Sequence, residues 1–182
     1  MHPLAVQLRA CTPTDVVAPA HVAPPSESEV PLSAARDARA LVAAGRLASL
    51  ATLDRESGAP FASLVAYVDD AGRPLLLLSG LAEHSKNLRQ RADASLLIVG
   101  DAATPHSLDR PRVTLIGRVT WLDGAEATHA RERFAAVHPE AKVWLTLPDF
   151  APARLEVLQV RWVGGFARAV TVSAAEYLRS SS

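Results

Sequence analysis

The chain has 182 residues, of which 49% are hydrophobic and 21% are charged, the ordinary mix of a globular domain. Lysine plus arginine and aspartate plus glutamate number 19 each, so the balanced charge argues against the broad basic surface of a nucleic-acid-binding or membrane-surface protein. Cys11 is the single cysteine, which excludes a disulfide framework and a cysteine-ligated zinc site and favours a reducing, cytoplasmic location.

The first 32 residues differ in composition from the rest of the chain. They hold six of the 13 prolines and neither a glycine nor an aromatic residue, so they cannot bury enough apolar area to offset the entropy lost on ordering. We predict a flexible, proline-rich arm over 1–32 and a single domain over 33–182. The arm lacks the early positive charge of a signal peptide, and no apolar run in the chain approaches the ~20 residues of a membrane span.

The predicted domain opens with a helix that Ser33 caps and Gly45 ends. Short segments of strand character follow, separated by turns rich in glycine, proline and aspartate. Gly117 interrupts the alternation of one strand and indicates a β-bulge. The predicted strands cover 46–53, 61–68, 74–79, 95–100, 112–122, 154–165 and 166–172, and further helices are predicted over 82–93 and 123–140. Six or seven mostly antiparallel strands with a few helices predict a mainly β fold that closes into a small barrel.

One polar cluster stands between two of the most apolar segments. Residues 79–89 read SGLAEHSKNLR, and a helix there would dock its leucines on the sheet and hold its polar side chains beside that seam. A lysine, hydroxyls and free amides at a helix start are the groups that a phosphate monoester prefers. The alternative is an exposed helix with solvated charges.

No histidine pair has metal-ligand spacing and no serine has a hydrolase motif, so we predict no metal site and name no catalytic residue.

Four stretches carry a resemblance to a known family. They are PFASLV at 60–65, LLLLSGLAEHSKNL at 75–88, PRVTLIG at 111–117 and VGGFARA at 163–169. Over 34–172 the chain resembles the FMN-binding split barrels related to pyridoxamine 5′-phosphate oxidase, and more narrowly it is similar to their heme-utilisation branch. The resemblance implies a split β-barrel that forms a homodimer, with FMN in a cleft shared by both subunits.

The same resemblance implies where the cofactor would be held. In the family, the second strand lines the flavin through its backbone and short polar side chains, the third strand ends on a hydroxyl at the ribityl-phosphate, and basic residues of the following helix hold the phosphate. The fifth strand brings a polar or basic side chain toward the flavin, often from the neighbouring subunit. The cofactor-binding positions implied in this chain are Ser63, Leu64, Ser79, His84, Ser85, Lys86, Asn87 and Arg112. A deazaflavin cofactor and heme are the alternative ligands.

Two departures from the family narrow the function. The chain does not carry the terminal arginine-histidine motif that grips pyridoxal phosphate in the oxidase, so vitamin B6 oxidation is not expected. No histidine follows His138, so the C-terminal histidine that ligates heme in the heme-utilising members is not expected either. The resemblance implies a flavin-dependent oxidoreductase of unknown substrate, and the alternative is a non-enzymatic heme- or flavin-binding protein. We expect a second copy of the chain and a small molecule as partners, and neither nucleic acid nor a membrane.

Overall fold

The strands of this protein close into a barrel. The computed structural model describes residues 29–101, 107–165 and 169–180. The strands are β1 Leu47–Leu53, β2 Pro60–Val68, β3 Leu75–Ser79, β4 Asp93–Val99, β5 Arg112–Trp121, β6 Phe150–Val163 and β7 Ala169–Ser173. Their order is β3-β2-β1-β4-β5-β6-β7, all pairings are antiparallel, and a pairing of β3 with β6 closes the first six strands into a ring. The predicted mainly β barrel of six or seven antiparallel strands is confirmed.

The alternation of side chains along the strands fills the barrel. In β1, β4 and β5 nearly every second side chain is buried, since successive residues of a strand point to opposite faces. Leu50, Leu96 and Leu115 lie in the closed interior with no exposure. The side chains that alternate with these buried ones point to the other side of the strands. They form an outer sheet face, and a cleft adjoins it.

Strand β3 is buried on both of its faces. Leu76 and Leu78 belong to the barrel core, whereas Leu75 and Leu77 join a second cluster around Phe134. Because α3, Gly124–Val137, covers the outside of the barrel at this point, the continuous run of leucines predicts the burial correctly.

The bulge predicted at Gly117 is present in β5. The register with β6 shifts between Ile116 and Gly117, and a Cβ atom at Gly117 would collide with the backbone carbonyl of Glu156. A glycine is therefore required by the close approach of the two strands.

The first helix begins earlier than the sequence predicted. Helix α1 spans Glu29–Ala44, so it starts four residues before the predicted cap at Ser33 and crosses the predicted boundary at 32. Pro31 is compatible with this start, because amides of the first helical turn have no intrahelical partner. The rest of the predicted arm, 1–28, lies outside the described residues. Gly45 follows the helix as predicted, and its N–H donates to the carbonyl of Leu41.

Several other boundaries differ from the predicted ones. Helix α2 spans Glu83–Gln90 and is shorter than the predicted 82–93, and α3 is shorter than the predicted 123–140. Strand β6 starts at Phe150 rather than 154, after the short helix α4, Lys142–Leu145. A last helix, α5 Ala174–Arg179, was not predicted, although Ser173 and Glu176 form the capping box that marks its start. The helices in the described part of the chain lack the length and hydropathy of a bilayer span.

The ring of strands is loosest between β2 and β3. Strand β2 pairs with β1 from Pro60 to Ala66, but it pairs with β3 only through Tyr67↔Leu76 and Val68↔Leu75. Because β3 pairs with β6 over its whole length, β2 and β3 diverge from this point. The edge of β2 that faces β3 therefore lies outside a β ladder from Phe61 to Ala66.

Candidate functional site

A cleft opens where β2 and β3 diverge. Its volume is about 330 Å³. The lining side chains come from β1, β2, β3, α2, α4 and β6: Leu47, Leu64, Val65, Ala66, Leu77, Leu78, Ser79, His84, Trp144 and Phe150. All of them except Ser79 and His84 are apolar, so the cleft suits a ligand with a large apolar surface.

Two aromatic rings form one wall of the cleft. The ring centroids of Trp144 and Phe150 lie 6.3 Å apart, with an angle of 10° between the ring planes. Arg131 of α3 fixes this segment, since its guanidinium donates to the carbonyl of Leu145 at 3.3 Å and to that of Phe150 at 2.9 Å. The nearly parallel rings offer a flat apolar surface to a conjugated ligand. Sequence reasoning missed both residues; the available signal was a tryptophan in a segment with neither helical nor strand periodicity.

His84 brings a polar group into this apolar cleft. It lies in the first turn of α2, and its Nδ1 atom is 3.0 Å from Oγ of Ser63 on β2. Burial lowers the pKa of His84 below its ordinary value, because desolvation penalises the charged imidazolium. Its Nε2 atom is buried and has no hydrogen-bond partner among the described residues. The fold therefore brings together two predicted site residues, and it favours the neutral form of the imidazole.

The side chains that were predicted to hold a phosphate are paired with carboxylates instead. Oγ of Ser79 donates to Oδ2 of Asp149 at 2.6 Å. The ammonium of Lys86 lies 3.2 Å from the carboxylate of Glu83, and Arg55 lies 3.6 Å from the same carboxylate. A phosphate dianion placed here would meet two negative groups as well as the cations. Within a single chain, this geometry is a weak anion site.

Comparison with known proteins identifies the family. The sequence model described as "CREG, beta-barrel" matches residues 29–179. The chain belongs to the CREG β-barrel family. This assignment lies within the split-barrel superfamily that the four sequence stretches indicated, so the predicted resemblance is confirmed.

Three relatives show how this family member compares with characterised proteins. The chain is 32% identical over 145 residues to the chloroplastic non-canonical heme oxygenase HOZ of Arabidopsis thaliana, covering 79% of this chain and 44% of that protein. It is 35% identical to the heme-binding protein from Mycobacterium smegmatis, whose structure gives a TM-score of 0.78 over 88% of this chain and 63% of the other. A Clostridium acetobutylicum protein of the pyridoxinephosphate oxidase family is 13% identical, with a TM-score of 0.62 over 80% of this chain and 98% of the other; it shows the fold alone. The chain thus spans less than two thirds of the two heme-related proteins.

Two positions that the family resemblance assigned to the phosphate face the interior instead. Ser85 and Asn87 have no exposure. Nδ2 of Asn87 donates to Oγ1 of Thr52 at 3.1 Å, and its Oδ1 accepts from the backbone N–H of Arg55 at 3.0 Å. The observed role of Asn87 is to fasten α2 to β1 and to the turn that follows it. Neither side chain lines the cleft within one chain.

Asn87→Ala is expected to lower the free energy of unfolding by about 1–3 kcal/mol, because it leaves the Thr52 hydroxyl and the Arg55 amide without their partner. Urea unfolding followed by far-ultraviolet circular dichroism measures the change. Lys86→Ala is the matched control on the same helix; it removes one half-exposed ion pair and should cost less than about 1 kcal/mol. Equal stability of the two variants would contradict the structural role of Asn87.

Arg112, the remaining predicted site residue, lies away from the cleft of its own chain. Its guanidinium donates to the carbonyls of Leu108 at 3.0 Å and Arg110 at 3.2 Å. It lies opposite Val99 of β4, and it is not among the residues that line the cleft. Contact of Arg112 with a ligand in the cleft would therefore have to come from a second copy of the chain, as the family resemblance implies.

Proposed function

We propose that this protein binds heme in the cleft between β2 and β3. The observation that carries the proposal is the half-buried imidazole of His84, whose Nε2 atom has no hydrogen-bond partner among the described residues, in a cleft with otherwise almost wholly apolar walls. The residues present fit a heme group, since a porphyrin needs a flat apolar slot and its iron accepts a neutral imidazole nitrogen. When bound, heme would supply the redox and oxygen chemistry of its iron. The chain's own contribution would be the apolar walls, the exclusion of water and the placing of His84.

Two relatives support this proposal. The Arabidopsis heme oxygenase and the Mycobacterium smegmatis heme-binding protein are 32% and 35% identical to this chain. The similarity covers 79% and 88% of this chain. Because the chain spans only 44% and 63% of these proteins, the proposal concerns heme binding and does not extend to heme cleavage.

Flavin binding, with oxidoreductase activity on an unknown substrate, is the second candidate. It is favoured by the edge of β2 from Phe61 to Ala66, which lies outside a ladder and offers backbone donors and acceptors beside the cleft. A flavin ring has polar edges that use such groups, whereas a porphyrin core does not. The carboxylates of Asp149 and Glu83 beside the predicted phosphate contacts oppose an FMN phosphate there, and they would equally oppose a heme propionate; heme is preferred because of the apolar walls and His84.

A second copy of the chain is proposed to complete the cleft. The outer face of the sheet carries exposed apolar side chains at Leu47 and Leu64, which are 56% and 71% exposed and also line the cleft. The face continues across β4 and β5 through Leu97, Val99 and Ile116. Contiguous apolar surface of this kind marks an interaction site, and a symmetric partner would cover the face and wall the open side of the cleft.

The proposed function predicts saturable binding of hemin at one molecule per cleft, followed by the growth of a Soret band. Ala66 lines the cleft, so Ala66→Trp should fill it and weaken hemin binding at least tenfold. Ala136→Trp, on the exposed face of α3, is the matched control and should bind hemin as the wild type does. The proposal is refuted if hemin binds without saturation, if both variants bind it equally, or if FMN binds in preference and its fluorescence is quenched.

A further inference from the structure

The buried Nε2 atom of His84 has no role within the single chain. The side chain lines the cleft, and its other ring nitrogen is occupied by Ser63. Nε2 has neither a protein partner in the described part of the chain nor contact with solvent. A buried polar atom without a hydrogen bond is destabilising, and such atoms in native proteins call for an explanation. A ligand that bonds to Nε2 would supply one.

The hydrogen bond to Ser63 determines what Nε2 can do. The serine hydroxyl can accept a proton from Nδ1–H at the observed separation of 3.0 Å, and this tautomer leaves the lone pair on Nε2. A neutral imidazole with a free Nε2 lone pair is the common metal-binding form of histidine. Metal-ligating histidines usually donate their other ring N–H to an oxygen atom, which fixes the ring and raises its basicity. Ser63 is placed to act as that oxygen.

The surroundings of His84 are compatible with metal binding by its Nε2 atom. The neighbouring lining residues Leu64, Leu77 and Leu78 are aliphatic, so the cleft offers Nε2 no competing protein partner. Trp144 and Phe150 present their nearly parallel rings to the same cleft, where a macrocycle can pack. His84 lines the cleft, but Nε2 itself is covered in the single chain, so a bond from Nε2 to a metal centre would require the side chain or a wall of the cleft to move.

We propose that Nε2 of His84 would bind the iron of heme in this protein and that Ser63 is the positioning residue that orients the imidazole. The inference rests on the proposed function, because it needs heme in the cleft. It assigns the ligation to the start of α2, and it therefore differs from ligation by a histidine after the barrel.

Absorption and electron paramagnetic resonance spectra of the ferric hemin complex test the assignment. The full chain with one equivalent of hemin should show the spectra of imidazole ligation. His84→Ala should lose them, and added imidazole should restore them. His84→Gln keeps most of the side-chain volume and should also lose the spectra of imidazole ligation. It provides the test if the alanine variant does not fold. His129→Ala, which removes a half-exposed histidine on α3, is the matched control and should leave the spectra unchanged.

Variants of Ser63 separate positioning from a merely structural role. Ser63→Ala should weaken hemin binding about 10–100-fold, as is typical when a group that orients a metal ligand is lost, and should shift the iron reduction potential. Ser63→Thr keeps the hydroxyl and should restore both values. Wild-type spectra in both His84 variants would overturn the inference and leave heme binding intact. A wild-type chain that fails to bind hemin would overturn the proposed function, and the inference with it.

Discussion

Leu64→Arg is expected to convert the proposed dimer into a monomer. Leu64 is 71% exposed on the outer sheet face of a single chain, and a second copy seated on this face would bury it. An unpaired guanidinium in an apolar interface pays a large desolvation cost. At about 2 kcal/mol per copy, the two symmetry-related substitutions weaken association about 1000-fold. Sedimentation velocity over a range of protein concentrations measures the change.

Leu32→Arg is the matched control for this experiment. Leu32 is an exposed leucine of α1, which packs on β7 and α5 rather than on the outer sheet face. It should leave the dimer unchanged. A wild-type chain that sediments as a monomer, or a Leu64→Arg variant that remains a dimer, would contradict the proposed interface.

Leu97→Arg separates the interface from the cleft. Leu97 lies on the same outer face as Leu64, opposite Ser49, but it does not line the cleft. If the second copy walls the cleft, Leu97→Arg should weaken both dimerisation and hemin binding. If it weakens dimerisation alone, the cleft of one chain suffices for the ligand.

Phe134→Ala is expected to lower the free energy of unfolding by about 3–5 kcal/mol. Phe134 has no exposure and belongs to the cluster between β3 and α3. Its ring stacks on that of His138, with centroids 5.5 Å apart. Removal leaves a cavity that β3 and α3 cannot close, because β3 is paired with β6 over its whole length. Urea unfolding at equilibrium gives the value.

Glu132→Ala, two residues away on the exposed side of α3, is the control for Phe134→Ala. It should change the free energy of unfolding by less than about 0.5 kcal/mol. A loss below about 1 kcal/mol for Phe134→Ala would mean that the second cluster contributes little. Phe134→Ala should also weaken hemin binding, because α3 carries Arg131, which holds the carbonyls of Leu145 and Phe150 beside the cleft.

Much of the fold could be predicted from local patterns. Alternation identified the strands, the run of leucines at 75–78 identified a strand buried on both faces, and Gly117 identified the bulge. The errors lie at element ends. Helix α1 starts at Glu29, and β6 starts at Phe150 because its first residues pair with β3. Helix α5 was missed even though its capping residues were visible in the sequence.

The candidate site was predictable only in part. Ser63, Leu64, Ser79 and His84 line or border one cleft, and their contact with a cofactor stays a prediction. The sequence did not reveal that Asp149 accepts a hydrogen bond from Ser79, since the two lie 70 residues apart. The same holds for the aromatic wall, which faces β2 only because α3 and α4 bring it there.

The sequence by itself determined the strands, the bulge and the family, since each depends on residues close together in the chain or on a run of matching motifs. Only the tertiary structure decided which polar side chains are free to meet a ligand. The helix of residues 83–90 carries four predicted contacts, and its position on the barrel turns Ser85 and Asn87 inward, pairs Lys86 with a carboxylate and leaves His84 at the cleft. The physical reason is that helical periodicity fixes which side chains share a face, whereas the packing of that helix on β1 and β2 fixes which face is buried.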